Sequence, residues 1–221
     1  MPVRSSASDL PDYFGTLLHH FGQQHWWPGK SQWEIIVGAI LTQNTNWGNV
    51  EKAIDNLRTH DLLSYTTMAQ LNQNTLEEMI RPSGFYRVKT KRLQAFLQFI
   101  REKLHGDIHN LATMPLETAR TMLLSVNGIG PETADSILLY AFNKPIFVVD
   151  AYTKRIVDRH GITDSQDYHE IQRLFMNSCE KSVAVYNEFH ALIVATGKSY
   201  CKPVPRCAVC PLKTFLPIQP V

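Results

Sequence analysis

Hydrophobic positions recur at helical spacing almost from one end of the chain to the other. After Ser31, the residues Ile35, Ile36, Ala39 and Ile40 share one face, and Ser31 with Glu34 has the form of a capping box. A second helix is predicted from Trp47 to Leu57. Phe85 to Leu104 reads as a long amphipathic helix with Leu93, Phe96, Leu97 and Ile100 on its stripe. Pro115 suits the first turn of a helix that continues to Leu124. Pro131 suits the first turn of another, with Ile137, Leu138 and Ala141 on one face. Ile171, Leu174 and Phe175 mark a further helix, and Val183 to Lys198 the last. Only Pro145–Val149 resembles a strand, and one short isolated strand cannot build a sheet. The chain carries no internal repeat, low-complexity tract or linker. The predicted fold class is all-α, with the last twenty residues irregular and rich in proline.

Composition narrows the class. Of 221 residues, 44% are hydrophobic and 19% charged, enough apolar surface for a large core and too little charge for disorder. The longest apolar run, Ile35 to Leu41, is far short of the roughly 20 residues that span a bilayer. Met1 to Ser8 has one basic residue and no apolar stretch, so a secretory signal is not expected, and neither is a membrane partner. The net charge of +2 permits a nucleic-acid partner without demanding one. Its distribution is uneven: Arg81 to Lys103 holds seven basic residues and one acid, Glu102. That block is either a solvated helix face or part of an electrostatic footprint.

Three local features bear on chemistry. Leu123 to Asp135 is an apolar helix end, then Asn127-Gly-Ile-Gly130, then Pro131-Glu-Thr-Ala134. Glycines at 128 and 130 allow close backbone approach, and the N–H groups at the new helix start point outward with the positive end of the helix dipole. Such a turn is either an ordinary helix–helix link or a seat for one phosphate of a nucleic-acid backbone. Asp150 follows the apolar Ile146-Phe-Val-Val149. It reads as a helix N-cap, a role that holds a carboxylate rigidly and is compatible with catalysis. Of four cysteines, Cys201, Cys207 and Cys210 fall within ten residues, a spacing that suits metal or cluster ligation better than disulfides. Cys179 lies a long helix away and reads as a buried thiol.

Taken together, the hairpin and the Val-Val-Asp150 that follows it resemble the helix-hairpin-helix base-excision DNA glycosylase superfamily, the endonuclease III group in particular. Leu41-Thr-Gln-Asn-Thr45 resembles the family's early helix end, whose glutamine enters the gap left by a flipped nucleotide; that implies Gln43. Ser83-Gly-Phe-Tyr86 resembles the family segment that wedges a bulky residue into the duplex; that implies Phe85. Phe189-His190 to Cys201 resembles the last helix leading to a cluster loop. The resemblance implies a two-lobed fold with its active-site cleft between the lobes. One lobe, 31–140, would be a six-helix domain carrying the hairpin; the other would combine 1–30 with 141–221. It implies that Asp150 is catalytic. Gly128, Ile129, Gly130, Thr133, Gln43, Phe85, Arg87 and Lys89 would bind DNA. The implied setting is a cytoplasmic monomer acting on damaged double-stranded DNA at the chromosome.

Two departures from the family pattern shape the expected mechanism. Bifunctional members place a lysine just after the hairpin, where its amine attacks the sugar and leads to strand cleavage. Here that slot is Glu132, and a carboxylate forms no imine. A monofunctional enzyme is therefore expected. An oxidised-pyrimidine glycosylase with lyase activity from another lysine, and a DNA-binding module without catalysis, are the alternatives. The Trp26-Trp27-Pro28 stretch resembles the branch that excises 3-methyladenine and related alkylated purines, which implies that Trp26, Trp27 and Glu132 line the base pocket. Electron-rich rings favour cationic bases. The family's 4Fe–4S cluster takes four cysteines. In this chain the fourth position is Leu216. A cluster with a substitute ligand, a zinc ion and a loop without metal all remain open.

Overall fold

The computed structural model describes residues 5–26 and 29–217, and among these every regular element is helical. In chain order the helices are α1 (Leu10–Phe21), α2 (Gln32–Leu41), α3 (Trp47–Thr59), α4 (Tyr65–Met68), α5 (Gln73–Ile80) and α6 (Tyr86–Lys103). They continue as α7 (His109–Thr113), α8 (Leu116–Leu124), α9 (Pro131–Ser136), α10 (Ala151–His160), α11 (Tyr168–Ser178) and α12 (Val183–Ser199). Ile137–Ala141 extends α9 as a π-helical turn whose five residues are all buried. The chain divides into two compact units, Trp27–Lys144, and Met1–Trp26 with Pro145–Val221.

The 27–144 unit is built around α2. Trp33, Ile36, Val37, Ala39, Ile40 and Leu41 are all buried, and α2 packs on α3, α6 and the π turn. Burying each large apolar side chain contributes about 1.5–3 kcal/mol, so this helix is a principal source of the unit's stability. Ser31 caps α2, accepting from the Glu34 N–H at 3.2 Å. The reciprocal half of the predicted box does not appear, because the Glu34 carboxylate turns to Arg58 at 3.0 Å. Arg120 of α8 grips the fully buried Asp135 of α9 with two bonds, Nε to Oδ1 at 2.7 Å and Nη2 to Oδ2 at 3.1 Å. A buried charge pair satisfied this way fixes geometry more than it adds stability. Here it sets how the two helices flanking the glycine turn cross.

The other unit centres on α12, which packs against α1 and α10. Gly197 is required for the second contact, since a Cβ there would lie 2.1 Å from the Tyr152 ring. Phe147 stacks on Phe175, with centroids 4.2 Å apart, and meets Phe189 edge-on. Pro145–Val149, expected to resemble a strand, forms no regular element. With no second strand to pair with, its polar groups are met by side chains: Gln172 donates to the Phe147 carbonyl at 2.6 Å. Four helices escaped the sequence reading, the short α4 and α7 and the longer α1 and α5. The stripe of α1, Leu10, Tyr13 and Leu17, is interrupted by Pro11 and Gly15, and α5 buries only Leu76 and Ile80. None of the described helices is long and apolar enough to cross a membrane.

Candidate functional site

The glycine turn between α8 and α9 is tightly specified from inside. Gly128 has φ of +87°, and a Cβ there would meet Arg92 Cγ at 2.4 Å. Both facts demand glycine. Gly130 differs: its backbone is extended and a Cβ would meet nothing within 4 Å. Any need for glycine at 130 therefore comes from something outside the chain. Ile129 corrects the expectation that it touches DNA. Its side chain is buried, and its N–H donates to the Val126 carbonyl at 3.0 Å, inside the turn. With the Ile129 N–H used, the donors left for a phosphate are those at the start of α9 from Gly130 onward, where N–H groups have no partner within the helix.

Gln43, two residues past the end of α2, is tied to this turn. Its amide nitrogen donates to the Gly128 carbonyl at 3.0 Å and to Thr133 Oγ1 at 2.9 Å. Its amide oxygen accepts from Arg92. One network thus joins Gln43, Arg92, Gly128 and the buried Thr133. Arg92 is the member that sequence reasoning missed; the only signal was its place in the basic block, which it shares with six other residues.

Phe85 stands apart from the core. It is 69% exposed, immediately precedes α6, and sits at φ +45° after Gly84 at φ +67°. A bulky residue in the left-handed region with its ring in water is an arrangement that the surrounding fold must impose. Arg87 is exposed, with Glu77 3.9 Å away and the Tyr86 ring beneath it. Lys89, also predicted to bind DNA, is only 1% exposed. Its ammonium donates to the carbonyls of Leu41 and Ser83 at 2.8 and 2.6 Å, so it is not a surface cation. Burial, with Arg92 nearby, lowers its pKa to about 8.

In the other unit Asp150 caps α10 as predicted. Oδ1 accepts from both the backbone N–H and the hydroxyl of Thr153, at 2.7 and 2.9 Å. That leaves Oδ2, which lies 3.6 Å from His190 Nε2 on α12. Burial pushes the Asp150 carboxyl up, but His190 and the two Thr153 donors outweigh it and hold it below the usual carboxylate range. The result is a rigid anion with one oxygen outside the cap. His190 was not identified as a site residue from the sequence. It is forty residues from Asp150, and a histidine on an apolar helix face carries no signal of its own.

Trp26 is half-buried, with the Lys198 ammonium 5.6 Å from its ring centroid. Trp27 lies outside the described residues. Trp33 is core. Glu132 is exposed in the first turn of α9, where an acid suits the helix dipole.

Cys201, Cys207 and Cys210 come together and line one cavity with His160, Leu212 and Leu216. All are free thiols. The residues present do not fit a four-thiolate cluster. Leu216 stands where the fourth ligand is expected, and the cavity of about 10 Å³ is near the room for a single water. Arg159 donates to Cys201 Sγ at 3.2 Å. His160, beside them, pairs its Nδ1 with the Tyr13 hydroxyl at 2.9 Å, and burial lowers its pKa to about 4. Among the described residues no group of three or more His, Cys, Asp or Glu side chains is arranged to hold a metal ion.

A family model for HhH-GPD superfamily base excision DNA repair proteins matches residues 37–181. A protein of Methanocaldococcus jannaschii named as a DNA repair glycosylase is 46% identical over 202 residues, covering 90% of this chain and 91% of its own. The crystal structure of H. pylori 3-methyladenine DNA glycosylase bound to 1,N6-ethenoadenine superposes with a TM-score of 0.75 at 30% identity. It covers 88% of this chain and 98% of its own. Endonuclease III trapped covalently on DNA superposes with a TM-score of 0.82 at 21% identity over 96% of both chains, which shows the shared fold.

Proposed function

Because the chain belongs to the HhH-GPD superfamily of base excision DNA repair proteins, and is a DNA glycosylase on that ground, we propose that it is monofunctional and hydrolyses the N-glycosidic bond of an alkylated purine such as 3-methyladenine. It acts as a monomer on double-stranded DNA. The glycine turn holds one backbone phosphate, with Gly128 shaping the loop, Gly130 admitting the strand, and Thr133 braced through Gln43. Gln43 and Phe85 fill the space that the extruded nucleotide vacates, and Arg87 adds charge to the same surface. Extrusion costs a few kcal/mol, least for a damaged base.

The observation that carries this reading is the state of Asp150. Its helix cap consumes Oδ1 and fixes the side chain, while Oδ2 stays outside the cap on a group kept ionised. As the bond to the base breaks, its electron pair leaves with the base and positive charge grows on the sugar. The Asp150 carboxylate stabilises that charge and orients the water whose oxygen bonds to C1′; the water's proton passes to the carboxylate and then to solvent. An alkylated purine that already carries positive charge departs without help from an acid. The Trp26 ring, which takes the Lys198 ammonium, has the electron-rich face that suits such a base. The likeness to the H. pylori enzyme supports the same substrate class.

Lysine placement supports the monofunctional reading. The slot after the hairpin is Glu132. Of the nearby amines, Lys144 is buried and donates to the Ala112 and Met114 carbonyls at 3.0 and 2.6 Å, and Lys154 donates to the Gln166 carbonyl at 2.9 Å. No step passes through a cluster, since three thiols and a leucine do not complete its ligand set. The test is an excision assay across alkylated, oxidised and deaminated bases, with strand breaks scored with and without alkali. Base release from alkylated purines, with breaks only after alkali, is the expected result. A covalent adduct trapped by borohydride overturns the monofunctional reading, and no release from any lesion overturns the enzymatic one.

A further inference from the structure

The removal of Lys89 from the DNA-facing surface leaves a buried ammonium to be explained. Burying a cation is costly unless it is fully hydrogen-bonded, and this one is met by two main-chain carbonyls. The two carbonyls are not arbitrary. Leu41 is the last residue of α2, two before Gln43, and its carbonyl is one of those a helix end leaves unpaired. A cation there also suits the negative end of the helix dipole. Ser83 lies two residues before Phe85, and its carbonyl opens the Gly84–Phe85 pair of positive-φ residues. The Lys89 Nζ therefore ties the backbone that carries Gln43 to the backbone that carries Phe85. One turn further along α6, Arg92 engages the Gln43 amide itself.

We propose that Lys89 is a positioning residue, a buried strut that fixes the separation of the two side chains entering the duplex, Gln43 and Phe85. This rests on the reading of those two residues as the inserting pair. The strut sets the backbone spacing, and Arg92 orients the glutamine between the strut and the glycine turn. Phe85 keeps its left-handed backbone because the chain before it is anchored. Burial and the neighbouring Arg92 work against the ammonium and lower the Lys89 pKa to about 8, while the two carbonyls hold it in place.

The test uses the full chain and a duplex with 2-aminopurine beside the lesion, so that fluorescence reports extrusion. Lys89→Met is expected to reduce single-turnover excision at saturating DNA by about tenfold, and to reduce the fluorescence change. The slope of log affinity against log salt stays unchanged, because no phosphate contact is removed. Phe85→Ala is expected to reduce both readouts, and the double variant K89M/F85A to be no worse than the poorer single variant, since the strut acts through the wedge. Lys89→Gln keeps a donor without the charge and is expected to lose less than Lys89→Met. It carries the same test if methionine prevents folding. A salt slope shallower by the roughly 0.9 expected for one phosphate would overturn the proposal. So would unchanged excision and fluorescence, or losses in the double variant that multiply. If Phe85→Ala and Gln43→Ala leave both readouts at wild type, the inserting-pair reading fails instead, whatever Lys89 does.

Discussion

Replacing Asp150 with asparagine separates the structural role of this residue from its chemical one. Asparagine keeps an oxygen where Oδ1 accepts from Thr153, and it caps helices about as well as aspartate. The fold should therefore survive, with a stability change below about 1 kcal/mol, or about 2–4 °C in melting temperature for a chain of this size. What disappears is the negative charge on Oδ2. A carboxylate about 4 Å from a developing positive charge interacts by about 4 kcal/mol at an effective dielectric near 20. That is about three orders of magnitude in rate. The assay is single-turnover release of 3-methyladenine from duplex DNA, with binding to an abasic analogue measured alongside. Excision should fall about a thousandfold with binding within a few-fold of wild type. Excision within tenfold of wild type in a folded, binding-competent variant would refute the assignment. The same substitution tests the electrostatics. The folded carboxyl lies below its ordinary value of 3.8, so it contributes stability above that pH and loses it as pH falls through the folded value. The stability gap between wild type and Asp150→Asn should accordingly close in acid, and a gap that widens there would contradict the direction of the shift.

Other outcomes follow from the same geometry. His190→Gln removes the imidazole 3.6 Å from Asp150 Oδ2 and should lower kcat by about tenfold, or about 1.4 kcal/mol, with little change in KM; an effect confined to KM would place His190 in binding instead. Gly128→Ala should destabilise the protein by about 1–3 kcal/mol in thermal melts, since it needs φ of +87° and collides with Arg92. Gly130→Leu should leave the melt nearly unchanged and weaken binding equally across DNA sequences, because phosphate contacts carry no base information; sequence-dependent losses would contradict its role. Anaerobically purified protein should contain far less than one iron or zinc per chain, and stoichiometric iron with visible absorption, or stoichiometric zinc without it, would show that the loop around Leu216 accommodates a ligand set the side chains do not indicate.

Several features were open to reading from the residues in order. Helix identities came from apolar spacing, since a buried face must recur at the helical period. The glycine turn, the capping aspartate and the glutamate in the lysine slot are local patterns, each written in a few consecutive residues. The hairpin and Asp150 together with Gln43 and Phe85 were enough to suggest the family. What stayed hidden depends on residues far apart in the chain. Arg92 reaches Gln43 across 49 positions, and His190 reaches Asp150 across forty. A lysine within a basic block looks like its neighbours until the fold shows which face of α6 is inward. Lys89 was read as a DNA contact for that reason, and Ile129 was misread because a turn's sequence does not say where its side chains point. Pro145–Val149 has strand composition, but a strand requires a partner, and the fold supplies Gln172 instead. Sequence patterns settle what a segment prefers alone, because propensity, capping and charge act over a few residues. Which charges are buried, which carbonyls they meet and which oxygen of Asp150 is left outside the cap were decided by tertiary packing, because desolvation and hydrogen bonding depend on neighbours in space.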